Sequence, residues 1–357
     1  MVERTPCLAT WHNQYLNQSR IPLNYFSHRI KILNKQDSPS HPSDLKAAQH
    51  RLNLYIDRNM KDGWWPYSPG REPSTEATAW CMLSLDDKNP ALPAALTFLI
   101  ASQNQDGGWS TGPSEGKSDW CTGPALFALR TTSRRLADNK GASAFERGAN
   151  FLTEMPTELY NAGARIILGA LQGVKATEEA PRGWPWSRGC FHWVEPTSYN
   201  LYAFKIPERP KNKNGFAPLI NRANKFLLDN TCAAGGWNHG SHFSLGFNLP
   251  PYIVTTAEAL LALQDTAAHK EIDRAFDFLN ANTTEAADAG QRKSAMALAW
   301  ITLALHAYGK DSQKTLAHLI SVQNADGSFG PNMMVSALAA MALNTANGVN
   351  PFKMDSI

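Results

Sequence analysis

Gln103-Asn104-Gln105-Asp106-Gly107-Gly108-Trp109 decides how this chain reads, because it recurs. Gln323-Asn324-Ala325-Asp326-Gly327-Ser328-Phe329 is nearly the same phrase. Arg58-Asn59-Met60-Lys61-Asp62-Gly63-Trp64 reads as a third copy, with Arg58 in the Gln slot. Asp229-Asn230-Thr231-Cys232-Ala233-Ala234-Gly235-Gly236-Trp237 is a fourth, stretched by two residues, and Arg182-Gly183-Trp184-Pro185-Trp186 keeps only the Gly-Trp end. Self-similarity at intervals of tens of residues marks a repeat architecture.

The phrase has a physical reading. Gln is placed to hydrogen-bond free groups at helix ends, Asp-Gly gives a turn with positive φ, and Trp packs over the junction. Its expected role is a brace.

Two kinds of helix alternate around the phrases. Segments 45–59, 91–103, 144–154, 217–229, 272–281 and 315–323 carry apolar residues at helical spacing, as in Ala95, Phe98, Leu99 and Ser102. Segments 75–85, 121–129, 196–204, 255–263, 294–305 and 335–343 are apolar nearly all round, as in Ser336-Ala337-Leu338-Ala339-Ala340-Met341-Ala342-Leu343. A helix apolar on every side is buried on every side. The expected fold is therefore all-α: six inner and six outer helices in an (α/α)6 double-ring barrel, closed because the inner helices are too apolar to leave a concave face in water. Residues 1–42 read as an irregular N-terminal segment, 43–345 as the barrel and 346–357 as a C-terminal tail. One pair lacks the phrase, with only Gly290 surviving near 286–292, and 205–215 reads as a polar insertion.

The chain has 357 residues, 43% of them hydrophobic, enough to bury a sizeable core. A net charge of +3 without basic blocks argues against nucleic acid as a partner. The five cysteines are scattered and odd in number, which fits a reducing compartment better than a disulfide framework. No signal-peptide stretch and no run of about 18 apolar residues is present, so the expected location is cytoplasmic, with attachment to a membrane surface left open.

The repeated phrases resemble the QW repeats of the squalene cyclase and prenyltransferase superfamily. The helices that follow them resemble its inner-helix signature, seen in Glu195-Pro196-Thr197-Ser198-Tyr199 and in the run from Thr255 to Leu263. The likeness covers roughly residues 45–345. It implies the terpenoid cyclase and protein prenyltransferase toroid. It also implies either of two chemistries: a carbocation cascade started by a protonating acid, or zinc-dependent prenyl transfer.

For the first chemistry the candidate acids are Glu76, Asp119 and Glu195, each at the start of an inner helix. Class II cyclases carry Asp-x-Asp-Asp before Thr-Ala. Aligned on Thr78-Ala79, this chain reads Ser74-Thr75-Glu76-Ala77, so Glu76 falls on the proton-donating Asp while the flanking acids are missing. Each carboxylate is also what a helix N-terminus favours electrostatically. Trp80, Trp120, Trp193, Tyr199 and Trp300 would supply ring faces that stabilise a cation without quenching it, or simply fill the core.

For the second, Asp119-x-Cys121 with His192 matches the zinc-ligand pattern of prenyltransferase β subunits, leaving one coordination position open. Otherwise no cofactor is expected. His239 and His242 read as loop residues, and Asp86-Asp87 as solvated charge. Three functions thus stand: an isoprenoid-type enzyme, favoured as a proton-initiated terpene cyclase with an apolar polyprenyl or triterpenoid substrate; a zinc-dependent prenyltransferase with a partner chain; and a non-catalytic barrel that binds another molecule.

Overall fold

The computed structural model describes residues 42–113, 115–155, 182–205, 215–244, 246–266, 268–283, 294–330 and 332–354. The chain divides into two units, Met1–Pro39 and Ser40–Ile357. The first unit, the 286–292 stretch and most of the 205–215 insertion lie outside the described residues.

The second unit is all-α, with helices α1 Pro42–Arg58, α2 Thr75–Ser84, α3 Ala91–Ala101, α4 Thr122–Arg135, α5 Ala142–Glu154 and α6 Val194–Lys205. After these come α7 Ala217–Asp229, α8 Ile253–Ala262, α9 Lys270–Thr283, α10 Ala295–Ala307, α11 Gln313–Ser321 and α12 Met333–Asn344. A two-residue hairpin, Phe243–Ser244 with Phe247–Asn248, precedes α8. Among the described residues no helix is long and apolar enough to cross a membrane.

The even-numbered helices are the apolar ones, and every residue of α2 is buried. Their contacts form a cycle: α2 packs on α4, α4 on α6, α6 on α8, α8 on α10, α10 on α12, and α12 back on α2. The odd-numbered helices bury one face each, as α5 does with Phe145, Gly148, Ala149, Phe151 and Leu152. Each odd helix packs against an even one, and α1 packs against both α11 and α12, joining the first helix to the last pair. Local signals start the inner helices: Ser74 caps α2 through Ala77 N, and Asn332 caps α12 through Val335 N.

The phrases are the clips between these helices. The Trp109 indole N–H donates to Leu99 O at the end of α3 (2.8 Å), while its backbone N–H donates to Thr122 Oγ1 at the start of α4 (3.0 Å). Trp184 and Trp237 repeat the pattern with Leu152 O and Leu227 O, and with Thr197 and Thr256. In the first copy the residue that does this is Trp65, bonded to Ile56 O and Thr78 Oγ1. The sequence reading put Trp64 there and is off by one: Trp65 is fully buried, while Trp64 is half-buried beneath the Lys61 ammonium. Asp62-Gly63 takes the turn, so Trp64 stands where Gly108 stands in the second copy.

The Gln reaches further than the next loop. Gln103 Nε2 donates to Gly107 O (2.6 Å) and to Ala144 O on α5 (2.8 Å). Gln323 Nε2 does the same with Gly327 O and with Ala48 O on α1. A Cβ on Gly107, at φ +90°, would meet Arg147 O at 2.6 Å, and one on Gly327 would meet Arg51 O. Glycine is required there both by conformation and by the approach of the next odd helix.

Candidate active site

Glu76 and Glu195 lie in the first turns of α2 and α6, and Asp119 lies just before α4. A fourth acid joins them. Glu258, in the middle of α8, is fully buried in a helix otherwise built of Thr and aliphatic residues. The Tyr199 hydroxyl donates to Glu258 Oε1 (2.9 Å), and the Tyr202 hydroxyl donates to Glu258 O (2.7 Å). The fields of Glu258, Glu76 and Glu195 all act on Tyr199, so acids from three inner helices lie within electrostatic reach of one buried hydroxyl.

Burial sets the protonation of this cluster. Glu76 is pushed up to about 7, mainly by loss of solvent; the neighbouring Trp80 indole N–H opposes this, short of full hydrogen-bond geometry, and the Asp119 charge adds to it. Asp119 is likewise pushed to about 7 by burial, against the Cys121 N–H that it accepts. Burial drives Glu258 well above the carboxylate range, helped by Glu195 and opposed by the Tyr199 hydrogen bond. Glu195 is hydrogen-bonded to His239 Nδ1. Burial lowers the His239 imidazole, but the bond and charge of Glu195 more than offset it, and the net shift is upward. The second oxygens of Glu195 and Glu258 are buried without a hydrogen-bond partner among the described residues. Glu258 therefore stays protonated at neutral pH, Glu76 and Asp119 titrate near it, and the unpartnered oxygens are acceptor capacity that the protein leaves unused.

An aromatic column lies beside the acids. Trp80, one helical turn after Glu76, meets Tyr199 edge-on at 5.6 Å and Trp300 at 5.9 Å between centroids. Trp120 packs on Trp186 (4.9 Å) nearer the acids. Trp193 stands apart from the column, near His239. At the other end Phe127, Tyr202, Trp80 and Trp300 all contact Phe352, which the C-terminal segment inserts until it is only 4% exposed. Asn350 Nδ2 on Leu303 O, and Gln264 bonded to both Phe352 O and Met354 N, hold that segment in place.

Asp119 and Cys121 stand in contact with each other, while His192 has other neighbours. Among the described residues no group of three His, Cys, Asp or Glu side chains could hold a metal ion. Asp119 Oδ1 is turned onto the Cys121 N–H, burial pushes the Cys121 thiol well up, and His192 Nδ1 faces Gly183 N with its ring against Phe226.

A cavity of about 280 Å³ opens at the opposite end of the helices, between the C-terminal segment and the ends of α2 and α4. Leu83, Phe127, Tyr202 and Phe352 are among its walls, and Arg134 and Lys353 are at its rim.

Sequence reasoning missed Glu258, His239 as a partner, and Phe352. Glu258 left a signal, since a charged residue in an apolar run is seldom buried without purpose. His239 and Phe352 left none, because each reaches its site across the fold.

No protein-family profile matches this chain, and no curated protein does. Solved structures do. The apo type II terpene cyclase MstE from Scytonema superposes with a TM-score of 0.57 at 14% identity, covering 86% of this chain and 98% of that one. A variant of MstE in complex with its substrate, geranylgeranyl dihydroxybenzoate, gives 0.57 at 13% identity over the same shares. PssZ from Listeria monocytogenes gives 0.53 at 11%, covering 86% and 97%. At such identities the likeness is one of fold: this chain has a terpene-cyclase-like helical fold.

Proposed function

We propose that the twelve helices form an (α/α)6 double ring of the QW-repeat superfamily, and that the chain is a proton-initiated terpene cyclase for an apolar, prenylated substrate. The cycle of inner-helix contacts and the clip from Gln323 to α1 support the architecture. One observation carries the function: the Tyr199 hydroxyl, bonded to buried Glu258 and within the fields of Glu76 and Glu195, stands against Trp80.

Glu76 is the proton donor in this reading. An acid poised near 7 keeps a substantial protonated fraction at neutral pH and can still release its proton. Its O–H adds the proton to an alkene carbon of the substrate, leaving a carboxylate and a carbocation. Trp80, one turn away, offers its ring to that cation. Ring closure moves the cation along the chain until it loses a proton or takes up water. Glu258, kept neutral, and Glu195 with His239 hold the surrounding charge. Incubating the protein with geranylgeranylated aromatic acids and linear polyprenyl substrates tests this: cyclised product is expected, and Glu76→Gln is expected to abolish it. Undiminished turnover by Glu76→Gln would contradict the assignment.

A second reading, a non-catalytic barrel, is favoured by the filled centre, where Trp80, Tyr199, Tyr202, Trp300 and Phe352 pack on one another. It predicts no product from any of these substrates.

A further inference from the structure

We propose that the cavity between the C-terminal segment and the ends of α2 and α4 is a binding site for a small amphiphilic anion, an acidic head group on a short apolar body. It is not the acid cluster. Leu83 and Tyr202 stand seven residues beyond Glu76 and Glu195 on the same helices, roughly 10 Å further along.

The walls and rim differ in chemistry. Leu83, Phe127, Tyr202 and Phe352 give apolar and aromatic walls, and the volume of about 280 Å³ sits just under the usual range of small-molecule pockets. Arg134, Arg135 and Lys353 bring three cations to the lining against one acid, Asp87, which pairs with Arg135. Cations at helix C-termini ordinarily offset the macrodipole and cap carbonyls. Here Arg135 already does so: it pairs with Asp87 and donates to Leu85 O and Met82 O. The side chains of Arg134 and Lys353 make no hydrogen bond or ion pair among the described residues, so their charge is available to a ligand. An apolar wall beneath two uncommitted cations selects an anion with a hydrophobic body over either part alone.

The test is equilibrium binding, by calorimetry at low ionic strength, of geranyl diphosphate, geraniol and inorganic diphosphate to the full chain. Geranyl diphosphate should bind saturably, and both fragments more weakly. The surface double variant Arg134→Gln/Lys353→Gln should lose at least tenfold for geranyl diphosphate. Absence of saturable binding, equal binding of either fragment, or no loss in the double variant would each overturn the proposal. Two sources of such a ligand are separable. If geranylgeranyl diphosphate binds more tightly than geranyl diphosphate, the site holds the head of a chain that passes Phe352 towards the acids. If it binds no more tightly, the ligand lies wholly in the cavity. Both results support the site, and neither depends on turnover, so the site and the cyclase reading fail separately.

Discussion

The Tyr199 hydroxyl donates to Glu258 Oε1 at 2.9 Å, with both side chains buried and the second Glu258 oxygen unpartnered. Tyr199→Phe removes that donor and leaves a buried acceptor without compensation. It should cost about 1–3 kcal/mol. Urea unfolding of Tyr199→Phe, Glu258→Gln and the double variant should show non-additive losses; simple additivity would mean the pair is not coupled.

The register of the first repeat is also testable by stability. Trp65→Ala empties a buried site and removes the clip to Ile56 O, and should cost about 3–5 kcal/mol. Trp64→Ala, at a half-buried position, should cost about 1 kcal/mol or less. Equal losses in the two unfolding curves would reject the Trp65 alignment.

Closure of the last pair onto α1 predicts a sharp effect at Gly327. Its φ of +93° and the approach of Arg51 O leave no room for a methyl group. Gly327→Ala should lower the melting temperature by several degrees, with a loss on the order of 1–3 kcal/mol, whereas Gly348→Ala, with φ +76° but open space, should lose less.

The acids make stability fall as pH rises. Glu76 has a folded pKa near 7 against an ordinary value of 4.5, so below about 4.5 it is protonated in both states and costs nothing. Between 4.5 and about 7 the unfolded chain releases the proton and the folded chain keeps it, so stability declines with pH. Glu258, shifted in the same direction, extends the decline upward. Glu76→Gln should flatten the unfolding free energy between pH 5 and 7, by a few kcal/mol at most. An unchanged slope would show that Glu76 ionises freely in the folded protein.

Much of the fold was legible because its signals are local. The odd and even helices differ in how much of their circumference is apolar, and the phrases between them carry turn and bracing chemistry within seven residues. The 217–229 helix was read to its observed bounds. The register slip at Trp64 arose because two tryptophans stand side by side, and only burial tells which one bonds Ile56 O and Thr78. The candidate site was less legible. Glu76, Trp80 and Tyr199 could be picked out because they share inner-helix faces, Glu76 with Trp80 and Glu195 with Tyr199 each one turn apart. Glu258 stood out as a charge within an apolar run, but nothing local told which groups it would meet, and the meeting of His239 with Glu195, 44 residues away, is set by how loops pack over the ends of the inner helices. The Asp119, Cys121 and His192 pattern shows the reverse: spacing suggested a metal set, and Asp119 does meet Cys121, but His192 Nδ1 faces Gly183 N and its ring lies on Phe226.

Solvent-proton incorporation is the most direct measurement of the central claim. With a geranylgeranylated substrate in deuterium oxide, a cyclisation begun by Glu76 places one solvent-derived deuterium on the carbon that is first protonated, read by mass spectrometry and NMR of the product. The parent protein should give cyclised product carrying that deuterium, and Glu76→Gln should give none. Cyclised product without deuterium, or deuterated product at the parent rate from Glu76→Gln, would contradict the account.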